Sequence, residues 1–309
     1  MISQNDKGLN VDFSNTEIAF TSKTDVELRK AGLLFSMMNK SWLVNVGSRM
    51  GLIALKLRLP FVQSIIKSTM FDQFVGGTTL LECKPNIEKL YQHDALTILD
   101  YGAEAKKTEK DFNRTMNETI RAIEFAFTNA SVPVVSAKIT GLARFELLES
   151  IQKGEALTKK TWREYRNILK RIDSICHAAS EYQVGVFFDA EESWIQDAID
   201  HLVNLMMKRY NRERVIVYNT FQMYRHDRLQ FLFDSFDRAK KEGYMLGAKL
   251  VRGAYMEKER ERAKEMGYES PIQPNKAATD DAFNTALRFC VDNYEQIASC
   301  NATHNMDSC

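Results

Sequence analysis

From residue 95 onward, short apolar runs alternate with amphipathic helical patterns six times in succession. No other property of the chain constrains its fold as much. The runs are residues 95–101, 132–138, 184–189, 214–220, 245–253 and 299–304. They are continuous rather than alternating, which marks strands buried on both faces, and strands separated by helices are parallel. Six such units predict an α/β fold of the (β/α)8 TIM-barrel type, with a doubly wound sheet as the alternative. No GxGxxG follows the first run, which lowers the dinucleotide-binding version of that alternative. The helices between the runs carry apolar stripes. The first has Phe112, Met116, Ile120, Ile123 and Phe127, opened by a capping-box-like Thr108 and Asp111. The others present Trp162, Tyr165, Leu169, Ile172 and Cys176; Trp194, Ala198, Leu202 and Leu205; Leu229, Leu232, Phe233 and Phe236, closed by Gly243; and Ala282, Phe283, Ala286 and Cys290.

Each run ends in polar residues. These are Asp100 and Tyr101, Lys138, Asp189 and Glu191, Gln222 and Tyr224, Arg252 and Tyr255, and His304 and Asn305. One such residue is ordinarily a turn residue. Six strands in a row ending this way is the pattern of a barrel, whose active sites are assembled at the C-terminal ends of several strands. The fifth run, Gly247-Ala248-Lys249-Leu250-Val251-Arg252-Gly253-Ala254-Tyr255, is the most pointed. A lysine inside an apolar strand requires a neutralising partner, either a ligand or a neighbouring carboxylate.

Before the barrel, residues 1–92 read as a helical region, with 93–309 as the barrel. Residues 25–38, 51–59 and 61–74 have helical character, and Gly76-Gly77 marks a break. The chain of 309 residues has a net charge of +1, so no global field draws it to nucleic acid. Its five cysteines are scattered and form no CxxC pair, which suits free thiols in a reducing compartment. Residues 1–15 have the character of neither a signal peptide nor a presequence, and no apolar stretch spans a bilayer. A cytoplasmic protein is expected.

A series of segments resembles the proline dehydrogenase family. The segments are Ile98-Leu99-Asp100-Tyr101-Gly102, Ala137-Lys138-Ile139-Thr140-Gly141, Phe188-Asp189-Ala190-Glu191-Glu192, Thr220-Phe221-Gln222-Met223-Tyr224 and the fifth run. Further on come Glu259-Arg260, Gly267-Tyr268, Pro271-Ile272-Gln273-Pro274 and Ala302-Thr303-His304-Asn305. They fall in the family's order, each at the expected strand. The resemblance implies a barrel that binds FAD and oxidises L-proline to Δ1-pyrroline-5-carboxylate by hydride transfer from C5 to flavin N5. Electrons then go to a membrane quinone, which implies peripheral membrane contact, with residues 42–62 as the candidate segment.

The resemblance assigns roles by position. Asp189 and Lys249 are the catalytic pair, with Lys249 near flavin N5. Lys138 is expected on the substrate carboxylate, with Ala254 and Tyr255 bordering the proline pocket. Gln222, Lys249, Val251, Arg252, Gly253, Ala254, Thr303 and His304 are expected to contact FAD, Arg252 and the backbone at Gly253 holding its pyrophosphate. No metal is implied. Met256 stands where some relatives place a tryptophan that stacks on adenine. The family's last two barrel units and its Tyr-x-x-Arg-Arg-x-x-Glu segment have no counterpart, so a chain truncated after its sixth strand, and poorly active as it stands, is expected. Three other readings compete. They are a Schiff-base barrel enzyme using Lys138 or Lys249, a metal-dependent barrel using Asp189, Glu191 and His304, and a fragment without a functional site.

Overall fold

A computed structural model of the chain describes residues 14–57, 59–102 and 106–309. Most of the polar run 1–15, and Arg58 within residues 42–62, lie outside the described residues. The chain divides into two compact units, one ending at Leu96 and one running from Thr97 to Cys309.

The second unit holds the six strands: β1 Ile98–Asp100, β2 Val134–Lys138, β3 Gly185–Asp189, β4 Val217–Gln222, β5 Leu246–Val251 and β6 Ile297–Asn301. All are parallel, and their spatial order is their chain order. That order decides between the two α/β architectures. A doubly wound sheet reverses direction at a switch point. Right-handed crossovers that always step the same way roll the sheet toward a barrel. The structure therefore has the (β/α) barrel type of fold, with β1 and β6 each paired on one side among the described residues.

Two strands differ in register from the sequence reading. β4 starts and ends later than residues 214–220, and β6 starts and ends earlier than residues 299–304. Both shifts have identifiable causes. The buried amide of Asn211 accepts from Ile216 N and Val217 N and donates to Val217 O and Met245 O, fixing where β4 and β5 begin. Ile297, fully buried, starts β6 by pairing with Leu246, whereas Thr303 and His304 lie beyond it. Gly247 is required in β5, because a Cβ there would lie 2.2 Å from Val217 O on β4.

The helix Glu109–Phe127 begins at Thr108, whose hydroxyl accepts from Asp111 N at 3.2 Å. Its buried stripe is Phe112, Thr115, Thr119, Ala122, Ile123 and Ala126. Phe127 is exposed, as are Trp162 at the start of Lys159–Tyr182 and Leu205 in Ser193–Tyr210. The buried faces are therefore rotated slightly from the ones that the large apolar residues alone suggested; in Ser193–Tyr210, for instance, Met206 and Met207 are buried where Leu205 is not. Gly243, with φ +70°, closes Arg228–Glu242 in the left-handed conformation favoured by glycine. Ala282, Phe283, Ala286 and Cys290 form the buried face of Lys276–Asp292. All five cysteines are unpaired.

The first unit is helical. Asp25–Met38 is opened by a capping box between Thr24 and Glu27, and Glu27 also accepts from Lys89 Nζ at 3.1 Å. The next helix is Ser41–Lys56 rather than 51–59. Residues 61–74 split into Val62–Ile66, a π-helical turn Lys67–Phe71, and Asp72–Phe74. Among the described residues of this unit, only Ile87 is a buried apolar side chain. No helix among the described residues is long and apolar enough to cross a membrane.

Candidate active site

The C-terminal ends of β2 to β6 surround a cavity of about 630 Å³. Lys138, Asp189 and Gln222 reach it as the last residues of β2, β3 and β4. Lys249 and Val251 line it from β5, followed by Arg252, Gly253, Ala254 and Tyr255. Thr303 and His304 close it beyond β6. The eleven residues to which the family resemblance assigns a role thus share one cavity. Asp100 and Tyr101, at the end of β1, are not part of its lining, and Glu191 and Tyr224 lie behind it.

Strand parity explains the lining of β5. Lys249 and Val251 face the cavity, while Ala248 and Leu250 point the other way and are fully buried. The partner that the strand lysine requires is Asp189, with Lys249 Nζ donating to Asp189 Oδ1 at 2.6 Å. The other carboxylate oxygen accepts from Ser136 Oγ on β2 at 2.9 Å. Lys249 also lies 5.4 Å from the ring centre of Phe187, which shares a face of β3 with Asp189. A cation and an anion are therefore fixed side by side on the cavity floor.

At one wall, Arg252 is held by three neighbours. It donates to Asp280 Oδ1 at 2.7 Å, Thr303 Oγ1 at 2.6 Å and Ser308 Oγ at 3.0 Å, and lies over the Phe283 ring. Lys276, also lining the cavity, pairs with Asp280, and these two cations lower the Asp280 pKa, Lys276 first. His304 is exposed. Gly253 has φ +139°, and a Cβ there would meet the Tyr224 ring at 2.4 Å. Only glycine lets the chain turn here against that ring, leaving bare backbone beside the arginine.

At the opposite wall, Lys138 is the register partner of Asp189, and its Nζ lies 3.5 Å from the Tyr255 hydroxyl. Burial raises the Tyr255 pKa, against the pull of Lys138. Gln222 belongs to the sheet. It ends β4, is buried, and donates to the backbone carbonyl of Glu191 at 2.8 Å.

The sequence reading missed the residues that hold others. Ser136 steadies Asp189, Asp280 steadies Arg252, and Lys276 adds a cation. Ser136 and Asp280 lie inside elements, so nothing in their local sequence separates them from other small or capping polar residues. Among the described residues no three His, Cys, Asp or Glu side chains converge as metal ligands, so Asp189, Glu191 and His304 do not form the cluster that the metal-dependent reading needs.

The fold and site together define an α/β protein of the barrel type, with a strand-end site that gathers several cations and the buried amide of Gln222. Residues 83–309 match the family model described as proline dehydrogenase, and the chain belongs to that family. It is 31% identical over 260 residues to the carbapenem antibiotics biosynthesis protein CarD of Pectobacterium carotovorum subsp. carotovorum, covering 84% of this chain and 68% of that protein. It is 29% identical to mitochondrial proline dehydrogenase 1 of Dictyostelium discoideum, over 99% of this chain and 61% of the relative. Proline utilization A from Bdellovibrio bacteriovorus, solved after inactivation by N-propargylglycine, shares the fold with a TM-score of 0.69 at 20% identity. That match covers 80% of this chain and 27% of the other.

Proposed function

We propose that this chain carries the catalytic barrel of a proline dehydrogenase. It oxidises L-proline to Δ1-pyrroline-5-carboxylate with FAD as cofactor, in proline catabolism. The observation that carries this reading is the convergence of eleven residues from five strand ends on one cavity, with the Lys249–Asp189 pair on its floor. Family membership and the proline dehydrogenase named among the relatives support it.

The residues present fit FAD. Lys249 and the buried amide of Gln222 offer polar donors to the edge of a flavin ring. Arg252, Thr303, His304 and Lys276 cluster at the opposite wall around the bare backbone of Gly253, the donor set that a pyrophosphate needs. When bound, FAD supplies the two-electron acceptor for the C–H bond beside the proline nitrogen. The chain's own part is positioning and electrostatics. Lys138 and the Tyr255 hydroxyl hold the carboxylate of the amino acid, Ala254 and Tyr255 shape its pocket, and Lys249 stabilises negative charge that develops near it. Asp189 keeps Lys249 aimed, and Ser136 keeps Asp189 aimed. Electrons leave to a membrane quinone on the cytoplasmic side, with residues 42–62 as the contacting segment, where Trp42, Met50 and Leu52 are exposed.

The Schiff-base reading is less well supported, because the nitrogens of Lys249 and Lys138 both donate to oxygen partners rather than standing as free amines. The test is direct. The purified protein should carry a flavin spectrum that bleaches anaerobically with L-proline and recovers with a soluble quinone analogue. A protein that cannot take up FAD, or whose flavin ignores proline, would sink the proposal.

A further inference from the structure

Glu191 is 3% exposed and sits directly behind the cavity. Its side-chain carboxylate accepts from Thr140 N at 3.0 Å and also from the Thr140 hydroxyl, two residues past Lys138. Its backbone carbonyl accepts from Gln222 Nε2 at 2.8 Å, and its backbone N–H donates to Gln196 at 2.8 Å. One residue therefore ties the ends of β2, β3 and β4 together. A buried carboxylate in this position is costly, and a simple turn residue would not need one. We propose that Glu191 is a positioning residue of this site. Its carboxyl clamps the segment carrying Lys138, its carbonyl clamps Gln222, and its charge state sets how strongly Lys138 holds an anion. The kinetic part of this inference rests on the proline dehydrogenase reading above.

The surroundings support the charge-state role. Burial pushes the Glu191 carboxyl from an ordinary value of 4.5 up to about 7, against the lowering pull of the two Thr140 hydrogen bonds. Lys138 on β2 is the cation that faces it. Glu192 on the same loop is the like charge, itself paired with Lys258 of the helix Met256–Met266. Tyr255 after β5 and Gln196 of Ser193–Tyr210 are further polar groups near it among the described residues. When Glu191 ionises, its charge competes with the substrate carboxylate for Lys138. The affinity for an anionic substrate therefore falls as pH rises through the Glu191 titration. The sign for stability is the same. The folded carboxyl keeps its proton to about 7 while the unfolded one loses it near 4.5, so this group makes the fold less stable as pH rises between those values.

Two substitutions separate clamp from charge. Glu191→Gln keeps the clamp, its amide oxygen accepting from Thr140 N and its amide nitrogen donating to the Thr140 hydroxyl, but removes the charge. Glu191→Ala removes both. In steady-state assays of the holoenzyme, the KM for proline of the wild type should rise more steeply between about pH 6 and pH 8 than that of Glu191→Gln. The excess should be roughly three- to tenfold. Glu191→Ala should lose roughly 10- to 100-fold in kcat, which Glu191→Gln rescues. Thermal melting, which needs no turnover, provides the independent readout. Between about pH 5 and pH 7 the melting temperature of the wild type should fall more than that of Glu191→Gln. Equal melting slopes in wild type and Glu191→Gln would overturn the charge-state role, and equal kcat losses in the two variants would overturn the clamp. If the melting slopes differ as expected but no proline oxidation occurs in any form, the enzymatic reading fails while Glu191 as a buried titrating carboxyl stands.

Discussion

Lys249 and Asp189 are 60 residues apart in the chain and 2.6 Å apart in the fold. Both are mostly buried, so removing one leaves the other without its counter-charge in a poorly solvated place. Lys249→Met should therefore lower the melting temperature, and Asp189→Asn added to it should restore part of the loss. A double-mutant cycle should give a coupling of about 1–3 kcal/mol. If the pair also serves the proposed oxidation, Lys249→Met should lower the flavin potential in a spectroelectrochemical titration, because negative charge on the reduced ring loses its cation. An unchanged potential with a large stability loss would leave the lysine a purely structural role. Lys138→Ala should weaken proline binding by about 1.5–3 kcal/mol, the worth of a charge-assisted hydrogen bond, and leave flavin retention nearly intact. A variant that loses flavin yet binds proline normally would reverse that assignment. Gly253→Ala combines a disfavoured φ with a clash against Tyr224. It should cost about 1–3 kcal/mol in urea denaturation, and a silent substitution would show that the turn can relax.

Elements are joined across the site by side chains that no local pattern announces. Glu259, fully buried on the helix Met256–Met266, accepts from both the backbone N–H and the hydroxyl of Ser193, each at 2.6 Å. It thus caps the first turn of Ser193–Tyr210, a helix that follows a different strand. A negative charge at a helix N-terminus is favourable, and here it also fastens the segment after Tyr255 to the loop after Asp189. Glu259→Ala should cost about 1–3 kcal/mol, since two donors are left without their acceptor. Chemical denaturation measures it, and a loss no larger than that of an exposed Glu→Ala control would refute the cap. A second buried junction links Asp200 to Arg228 at 2.6 Å, with Asn219 and Gln196 completing the shell of the carboxylate. Burial raises the Asp200 pKa even so, the cation opposing it.

Across the whole molecule, buried apolar side chains are distributed unevenly. Among the described residues, Ile87 is the one such side chain before Leu99, and every other member of the core belongs to the unit from Thr97 onward. Stability against local opening follows buried apolar contact. Amides of β2 to β5 should therefore exchange with solvent far more slowly than those of Asp25–Met38 and Ser41–Lys56, by roughly 100-fold or more in hydrogen-exchange mass spectrometry. Comparable protection in both regions would mean that the helical unit is stabilised by something other than its own core.

The periodic alternation of apolar runs and helices determined by itself that the strands are parallel and covered on both faces, because a strand with a helix on one side and the packed interior on the other must be apolar along its length. The polar residue at the end of each run likewise placed the candidate site, since parallel strands bring all their C-terminal ends to one face. Lys138, Asp189, Gln222 and Arg252 could be singled out for that reason alone. Exact strand ends could not be read, because Asn211 fixes the start of β4 while also reaching Met245, and Ile297 fixes the start of β6 by pairing with Leu246, both of them partners distant in sequence. Nor could the partner of Lys249, the capping of one helix by Glu259 from another, or the clamp formed by Glu191. A sequence pattern reports which face a residue occupies. Which charge meets which is decided only when the strands roll up and bring side chains from different units within hydrogen-bonding distance.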